Sequence, residues 1–259
     1  MKQRPSFPAR LANPPVPTGK AVPAAASSAA SSAALRGAPG SVESGFAARR
    51  RNMVAKLRQQ GLADTQVAMA LEQVERHRFV DSALHGQAYE DTSLPIGLGQ
   101  TISKPGVVAR MIELLRNGRA DKLGRVLEIG TGCGYQAAVL SLLASEVYSI
   151  ERLRVLHEKA RANLRELRLA NVHLLFGDGM AGFAKGAPYA GIISAAGGAS
   201  VPTAWTDQLA VGGRLVAPTA LSAGNGTQQA LVVIERTSTG LRQQVCEAVL
   251  FVPLKSGVA

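Results

Sequence analysis

The sequence predicts an α/β fold, a mostly parallel sheet carrying helices on both faces and preceded by a disordered tail. Three observations support this. From Arg125 onward, short aliphatic runs alternate with segments of helical length. The first of these runs leads into Gly130-Thr131-Gly132-Cys133-Gly134, a turn of the kind that joins a strand to the start of a helix. Residues 1–45, in contrast, hold seven of the 13 prolines and long Ala/Ser runs. Such a segment lacks side chains large enough to offset the entropy of ordering.

In chain order, Phe46–Gln60 reads as a basic amphipathic helix ended by Gly61. Asp64 caps a second helix over Thr65–Arg76, where Val67, Ala70, Leu71 and Val74 recur at helical spacing. Met53, Leu57, Met69 and Leu71 are expected in the core. His85–Lys104 is an irregular stretch punctuated by Gly86, Pro95, Gly97 and Gly99. Loops of that length in compact domains are usually functional or disordered, and this one, carrying Thr101 and Ser103, is expected to form a lid over the ligand site. Pro105 opens a helix over Gly106–Arg116. Strands are expected near Arg125–Ile129, Glu146–Ile150, Val172–Phe176, Ala190–Ser194 and Arg214–Ala217. Helices are expected near Tyr135–Leu143, Leu153–Leu167 and Thr203–Ala210. Ala230–Glu235 and Val245–Pro253, linked through Thr239-Gly240, should add two antiparallel strands at the sheet edge, making seven in all.

Composition narrows the function classes. A net charge of +11 can signal nucleic acid. Here aromatics are only 4% and no stacking or groove-reading element accompanies Arg49-Arg50-Arg51 or the bases of 161–168. Solvated helix faces explain those charges, and no nucleic-acid partner is expected. Cys133 and Cys246 lie far apart, and His77, His85, His157 and His173 show no ligand spacing. No metal is therefore expected, and a reducing cytoplasm is the expected compartment. No apolar stretch approaches the ~20 residues that cross a bilayer, so no membrane partner is expected. The tail carries five bases against one acid. Its prolines interrupt any secretory apolar run, and it reads as a nonspecific extension, with an organelle transit peptide as the alternative.

The strand, glycine turn and helix start together form a platform for a nucleotide-like ligand at a helix N-terminus. Dinucleotide folds use Gly-x-Gly-x-x-Gly. Here the glycines are 130, 132 and 134, and Tyr135 stands where the dinucleotide glycine would fall. Glu128, one residue before the end of the strand, would set a carboxylate near a pyrophosphate and suits a ligand with a cationic end instead. S-adenosylmethionine, with its ammonium and sulfonium and no phosphate, fits that requirement. Glu151, at the tip of the second strand, is placed to accept from both ribose hydroxyls. Asp178, in Phe176-Gly177-Asp178-Gly179 after the third strand, could meet the adenine amino group.

Val126–Ala138, Gly177-Asp178-Gly179, the upstream Leu94-Pro-Ile-Gly-Leu-Gly-Gln-Thr-Ile-Ser-Lys-Pro105 and the final Phe251-Val-Pro-Leu254 closely resemble the protein-L-isoaspartate (D-aspartate) O-methyltransferases. The similarity runs from about Phe46 to Lys255, and Gly-Gln-Thr-Ile-Ser-x-Pro is its specific part. The resemblance implies a Rossmann-like class I methyltransferase domain over residues 46–259. It implies methyl transfer to the free α-carboxylate of L-isoaspartyl (and D-aspartyl) residues in damaged proteins and peptides. The resulting ester collapses through a succinimide, which starts repair. Ser103 matches the family's active-site serine. Glu128, Gly130, Gly132, Gly134, Glu151 and Asp178 match its cofactor-contacting positions, with Thr131 and Gly179 expected beside them. Gln100, Thr101, Ile102, Val252 and Pro253 are expected to line the peptide groove, and the protein is expected to act as a monomer.

The chemistry is compatible with that assignment. A peptide α-carboxylate is already ionised at neutral pH, from its pKa of about 3.5. Catalysis then reduces to excluding water and aligning the partners, and a serine hydroxyl can steer one oxygen without a general base. The competing reading of Ser103 is a helix N-cap ahead of Pro105. Gly191 stands where the family commonly has aspartate, Gly197-Gly198 replaces a proline-containing turn, and Cys133 stands where serine is frequent. Rival functions are a methyltransferase for a small-molecule or RNA acceptor, or a cofactor-binding scaffold without turnover.

Overall fold

The computed structural model describes residues 39–221 and 228–259. The tail expected to be disordered lies outside them as far as residue 38, as does most of the Gly/Asn-rich loop before the last two strands. The first helix, α1 (Pro39–Gln59), begins seven residues ahead of the expected Phe46, because the Gly/Ser/Glu residues before Phe46 offered no apolar repeat to read. Helix α2 (Thr65–Gln73) is capped by Asp64, whose carboxylate accepts from the Gln66 and Val67 amides. It stops short of the expected Arg76, which instead opens a 3-10 turn over Arg76–Phe79.

The stretch expected to be irregular contains a two-stranded hairpin of β1 (Leu94–Gly97) and β2 (Gln100–Ile102). Helix α3 (Pro105–Arg116) follows directly. The alternating part then runs β3 (Leu123–Ile129), α4 (Tyr135–Leu143), β4 (Ala144–Glu151), α5 (Arg154–Arg165), β5 (Val172–Phe176), β6 (Tyr189–Ser194), α6 (Thr203–Asp207), β7 (Leu209–Ala220), β8 (Gln229–Thr237) and β9 (Gly240–Val249). The seven-stranded sheet has the order β5-β4-β3-β6-β7-β8-β9. Its first five strands are parallel, and β7-β8-β9 form an antiparallel meander.

Strand alternation divides the core into two layers. Val126, Val147, Ile193 and Val216 face the layer built by α1 to α5. Leu127, Ile129, Ile192 and Leu215 face a thinner layer around Trp205 of α6. Consecutive residues of a strand point to opposite faces, so a strand buried on both faces reads as a continuous apolar run, as Val126–Ile129 does apart from Glu128.

Two expected elements are corrected. The helix expected over Thr203–Ala210 ends at Asp207, because Leu209 already pairs with Tyr189 of β6. The last strand runs Gly240–Val249 rather than Val245–Pro253. Its first half, Arg242-Gln243-Gln244, is exposed on an edge and carries no apolar alternation. Beyond Val249 the chain leaves β9, and Pro253 meets Gly197 in an isolated parallel bridge.

Strand β3 lies between β4 and β6, so the chain reverses its direction of progress across the sheet there. The crevice beyond the strand ends at such a point is where open α/β sheets bind ligands.

Candidate active site

The turn after β3 is held by its neighbours before any ligand is considered. Gly130 and Gly132 have φ of 89° and 57°, a region open to glycine at little cost. The Gly130 and Thr131 amides both donate to the Ile150 carbonyl, at 2.9 and 3.2 Å. Glu151, at the tip of β4, accepts from the Gly132 amide at 2.9 Å and, through its other oxygen, from the Leu153 amide at 2.9 Å. It is only 4% exposed, and each carboxylate oxygen keeps a further lone pair.

This cradle borders a pocket of about 650 Å³ whose walls include Gly130, Gly132, Glu151, Leu156 and Gly179. That is the size class of small-molecule and cofactor sites. A second cavity of about 600 Å³ lies beside it, lined by Ser103, Lys104, Gly106 and Phe251 among others. Thr101, Ala195 and Val252 line both. The two spaces therefore meet at a shared wall, with Ser103 on the side of the second.

The hairpin and Ser103 are set by two residues that sequence reasoning missed. Arg76 is fully buried and donates from Nε to the Ala88 carbonyl and from Nη2 to the Ser103 carbonyl, both at 2.8 Å. Its guanidinium lies 4.9 Å from the centre of the Tyr135 ring. Asp91 accepts from the Gly106 amide at 2.7 Å and so caps α3 from a distance. The residue at the cap position is Lys104, whose side chain makes no capping bond. The helix-cap reading of Ser103 is therefore replaced: Asp91 does that work. No pattern in the sequence connects residue 91 to residue 106, or 76 to 103.

Several expected site residues lie elsewhere. Glu128 is fully buried beneath the turn rather than in the pocket, with Ser149 donating to its Oε2. It sits on the helix-facing side of β3, where burial raises its pKa to about 8, against the hydrogen bond from Ser149. Thr131 shares that buried cluster through a 2.6 Å contact with the Ser149 hydroxyl. Gly134 packs under α5, where a Cβ would meet Leu164 at 3.0 Å. Asp178 spends its Oδ1 on the Met180 amide at 2.8 Å and its Oδ2 on the Gly257 amide at 2.7 Å. It does not line the pocket.

On the groove side, Ile102 is buried and borders only a cavity of about 40 Å³ under the turn. Gln100 and Pro253 line the larger pocket, not the second cavity. Thr101 and Val252 lie on the shared wall.

The departures at β6 also have structural reasons. A Cβ on Gly191 would meet Leu115 of α3 at 3.1 Å, and one on Gly197 would clash with Gln229. The first lets α3 pack against the sheet. The second admits Gln229, whose Oε1 accepts from the Phe251 amide at 2.8 Å. Burial pushes the Cys133 thiol up to about 11, which makes it a packing residue. Among the described residues no cluster of metal-ligating side chains occurs and no helix is long and apolar enough to cross a membrane.

The larger pocket has room for a nucleoside-sized ligand. Glu151 offers a carboxylate to ribose hydroxyls, Leu153 and Leu156 offer apolar surface to a base, and Thr101, Gly130 and Ala195 form an uncharged far end.

Comparison with known proteins agrees with this geometry. Residues 48–259 match the profile of the family described as protein-L-isoaspartate (D-aspartate) O-methyltransferase. A protein-L-isoaspartate O-methyltransferase of Ralstonia nicotianae is 56% identical over 220 residues, covering 80% of this chain and 68% of the relative. One from Methylibium petroleiphilum is 60% identical over 210 residues, covering 80% and 77%. A solved protein-L-isoaspartate O-methyltransferase superposes with a TM-score of 0.72 at 29% identity, covering 81% of this chain and 67% of that one. A putative protein-L-isoaspartate O-methyltransferase from Plasmodium falciparum, solved with S-adenosyl-L-homocysteine, shares the fold at a TM-score of 0.67 and 22% identity, covering 80% and 98%. The glycine turn, the acid at the tip of β4 and the serine ahead of α3 thus sit in a chain that belongs to the protein-L-isoaspartate (D-aspartate) O-methyltransferase family.

Proposed function

We propose that the protein transfers a methyl group from S-adenosylmethionine to the free carboxylate of L-isoaspartyl and D-aspartyl residues in damaged proteins, initiating their repair. The observation that carries this reading is the shared wall of Thr101, Ala195 and Val252 between a cofactor-sized pocket and a groove that holds Ser103. When bound, the cofactor supplies an electrophilic methyl on a positively charged sulfur.

The chain's own residues do the rest. Gly130, Gly132 and Glu151 hold the nucleoside at the strand tips. The groove begins at the N-terminus of α3, where Lys104 and Gly106 line it. The Gly106 amide is taken by Asp91, so the positive charge there comes from Lys104, which suits a substrate whose reacting group is a carboxylate. The Ser103 hydroxyl, with capping left to Asp91, can donate to one oxygen of that carboxylate and leave the other free to attack. Phe251 and Val252 wall the groove beside it, the Phe251 amide and the Val252 carbonyl already bonded to Gln229 and Gly197, so the groove receives a peptide main chain against a fixed surface.

The expected setting is a monomer in the cytoplasm, acting on polypeptides without nucleic acid or membrane. Methyl transfer to an isoaspartyl peptide and to its normal aspartyl twin tests the function. Transfer to the first alone is expected, and equal or absent transfer to both would overturn it.

A further inference from the structure

The two edges of the sheet are built differently. Strand β9 ends it on one side with Arg242, Gln243 and Gln244 exposed, charged and polar residues of the kind that blunt an open edge. Strand β5 ends it on the other with Val172-His-Leu-Leu-Phe176, which holds no lysine, acid or proline and is half-buried along its whole length.

The bonds at the ends of β5 fix which of its backbone groups stay free. The Val147 amide donates to the Asn171 carbonyl at 2.8 Å, and the Gly177 amide to the Glu151 carbonyl at 3.0 Å. In a parallel pair every second residue turns its amide and carbonyl to the neighbouring strand. Asn171, His173, Leu175 and Gly177 therefore face β4, and Leu174 and Phe176 turn theirs outward. The Val172 amide is spent within the chain, on the Leu169 carbonyl at 3.4 Å.

A cleft of about 710 Å³ lies beside this edge, between α5 and β5. Leu164, Val172 and Leu174 give it apolar surface, and Arg161, Arg165 and Arg168 line it, all three exposed. Arg161 is paired with Glu158 at 3.0 Å, and Glu166 is drawn away to Arg78 at 2.8 Å. Among the described residues Arg165 and Arg168 are left without an acidic partner. On the other face of the sheet the Tyr148 ring stacks on His173, with centroids 4.7 Å apart and both residues half-buried.

We propose that the β5 edge is a docking site for an extended acidic segment of another polypeptide, taken up as an eighth strand of the sheet. Its backbone pairs with Leu174 and Phe176. Side chains alternate across a strand, so every second residue falls beside the arginine cleft and the others beside the Tyr148–His173 stack. The fitting sequence therefore alternates acidic with aromatic residues. Charge selects this occupant over two others. Antiparallel pairing of two copies would set their arginines against each other, and residues 1–38 carry five bases and no acid. The groove with Ser103 lies by β9, at the far edge, so an occupied β5 leaves it open.

The probe is a short peptide of alternating Glu and Tyr, acetylated and amidated, added to the full chain. Its binding should slow amide exchange at Leu174 and Phe176 and leave His173 and Leu175, already bonded to β4, unchanged. Arg165→Glu combined with Arg168→Glu should raise its Kd at least about tenfold, since like charge replaces opposite charge at two positions. That double variant should melt within about 2 °C of the parent, as exposed substitutions do, and methylate a short isoaspartyl peptide at the parent's rate. A peptide with the same residues in two blocks keeps the charge without the alternation and should bind several-fold more weakly.

Equal binding of the block peptide, or no slowing at Leu174 and Phe176, would overturn the added strand. Tighter binding of a single-stranded oligonucleotide, lost in the same double variant, would assign the cleft to nucleic acid instead. Protection of the same amides without peptide, as the protein dimerises, would assign the edge to a second copy. Either result overturns the proposal and leaves the methyl-transfer reading standing.

Discussion

The Arg76 guanidinium holds the carbonyl of Ser103 at 2.8 Å from a position 27 residues earlier in the chain. The same group holds Ala88 at 2.8 Å, so one buried side chain ties both ends of the hairpin segment to the start of α4. Removing it leaves two carbonyls without their donor, that of Ala88 in the core and that of Ser103 partly buried. Each such group costs about 1–3 kcal/mol. Arg76→Met, which keeps the apolar stem, is expected to destabilise the fold by about 3 kcal/mol in urea unfolding. It should also lower kcat, because the backbone that aims the Ser103 hydroxyl is no longer held. Unfolding at the same midpoint as the parent would remove Arg76 from this role.

Ser103 and Asp91 divide the work at the start of α3, and the division can be measured. Asp91→Ala removes the acceptor of the Gly106 amide and is expected to cost about 1 kcal/mol of stability, the usual value of a cap. Ser103→Ala removes no capping bond and should stay within about 0.5 kcal/mol in stability. Its kcat should fall at least about tenfold, as expected for loss of a hydrogen bond to a charged group, while the Kd for S-adenosylhomocysteine holds. The opposite pattern, with stability lost at Ser103 and kept at Asp91, would return the serine to a cap.

Glu128 should give the protein a pH signature. Burial raises its pKa from 4.5 to about 8, so between those values the folded protein holds a proton that the unfolded chain has lost. Stability then falls as pH rises through that window and levels off above about 8. The fall attributable to this group is on the order of a few kcal/mol. Glu128→Gln carries no such proton, and its melting temperature should decline less than the parent's between pH 5 and pH 8. Parallel curves for the two proteins would place the titration elsewhere.

The sheet and the glycine turn were legible because apolar runs, turn glycines and strand-tip acids are local signals. Glu151 lies at the tip of β4, where its place after the second aliphatic run put it. Glu128 was misplaced by similar reasoning, since the residue before a strand's last position points to the face opposite the last one, and here that face carries helices α1 to α5. The polar edge half of β9 and the early start of β7 escaped because pairing across the sheet, not side-chain periodicity, defines them. The roles of Arg76, Asp91 and Asp178 were illegible for one shared reason. Each holds backbone amides or carbonyls, some of them far along the chain, and a backbone partner leaves no residue-type signature.

Glu151 carries two structural bonds in addition to its proposed ribose contact, and this sets the expected result of its removal. Its oxygens bind the amides of Gly132 and Leu153, so Glu151→Ala frees two donors at the base of the cradle. Glu151→Gln keeps one oxygen for one amide but faces the other with an NH2 group. Both variants should weaken S-adenosylhomocysteine binding by about 1–3 kcal/mol. The alanine variant should lose more, because the turn itself is released along with the ribose acceptor. The separating measurement is amide exchange at Gly132 without ligand, which is expected to be faster in Glu151→Ala than in the parent. Exchange at the parent's rate together with weakened binding would mean that Glu151 serves the ligand alone and that the turn is held by Ile150.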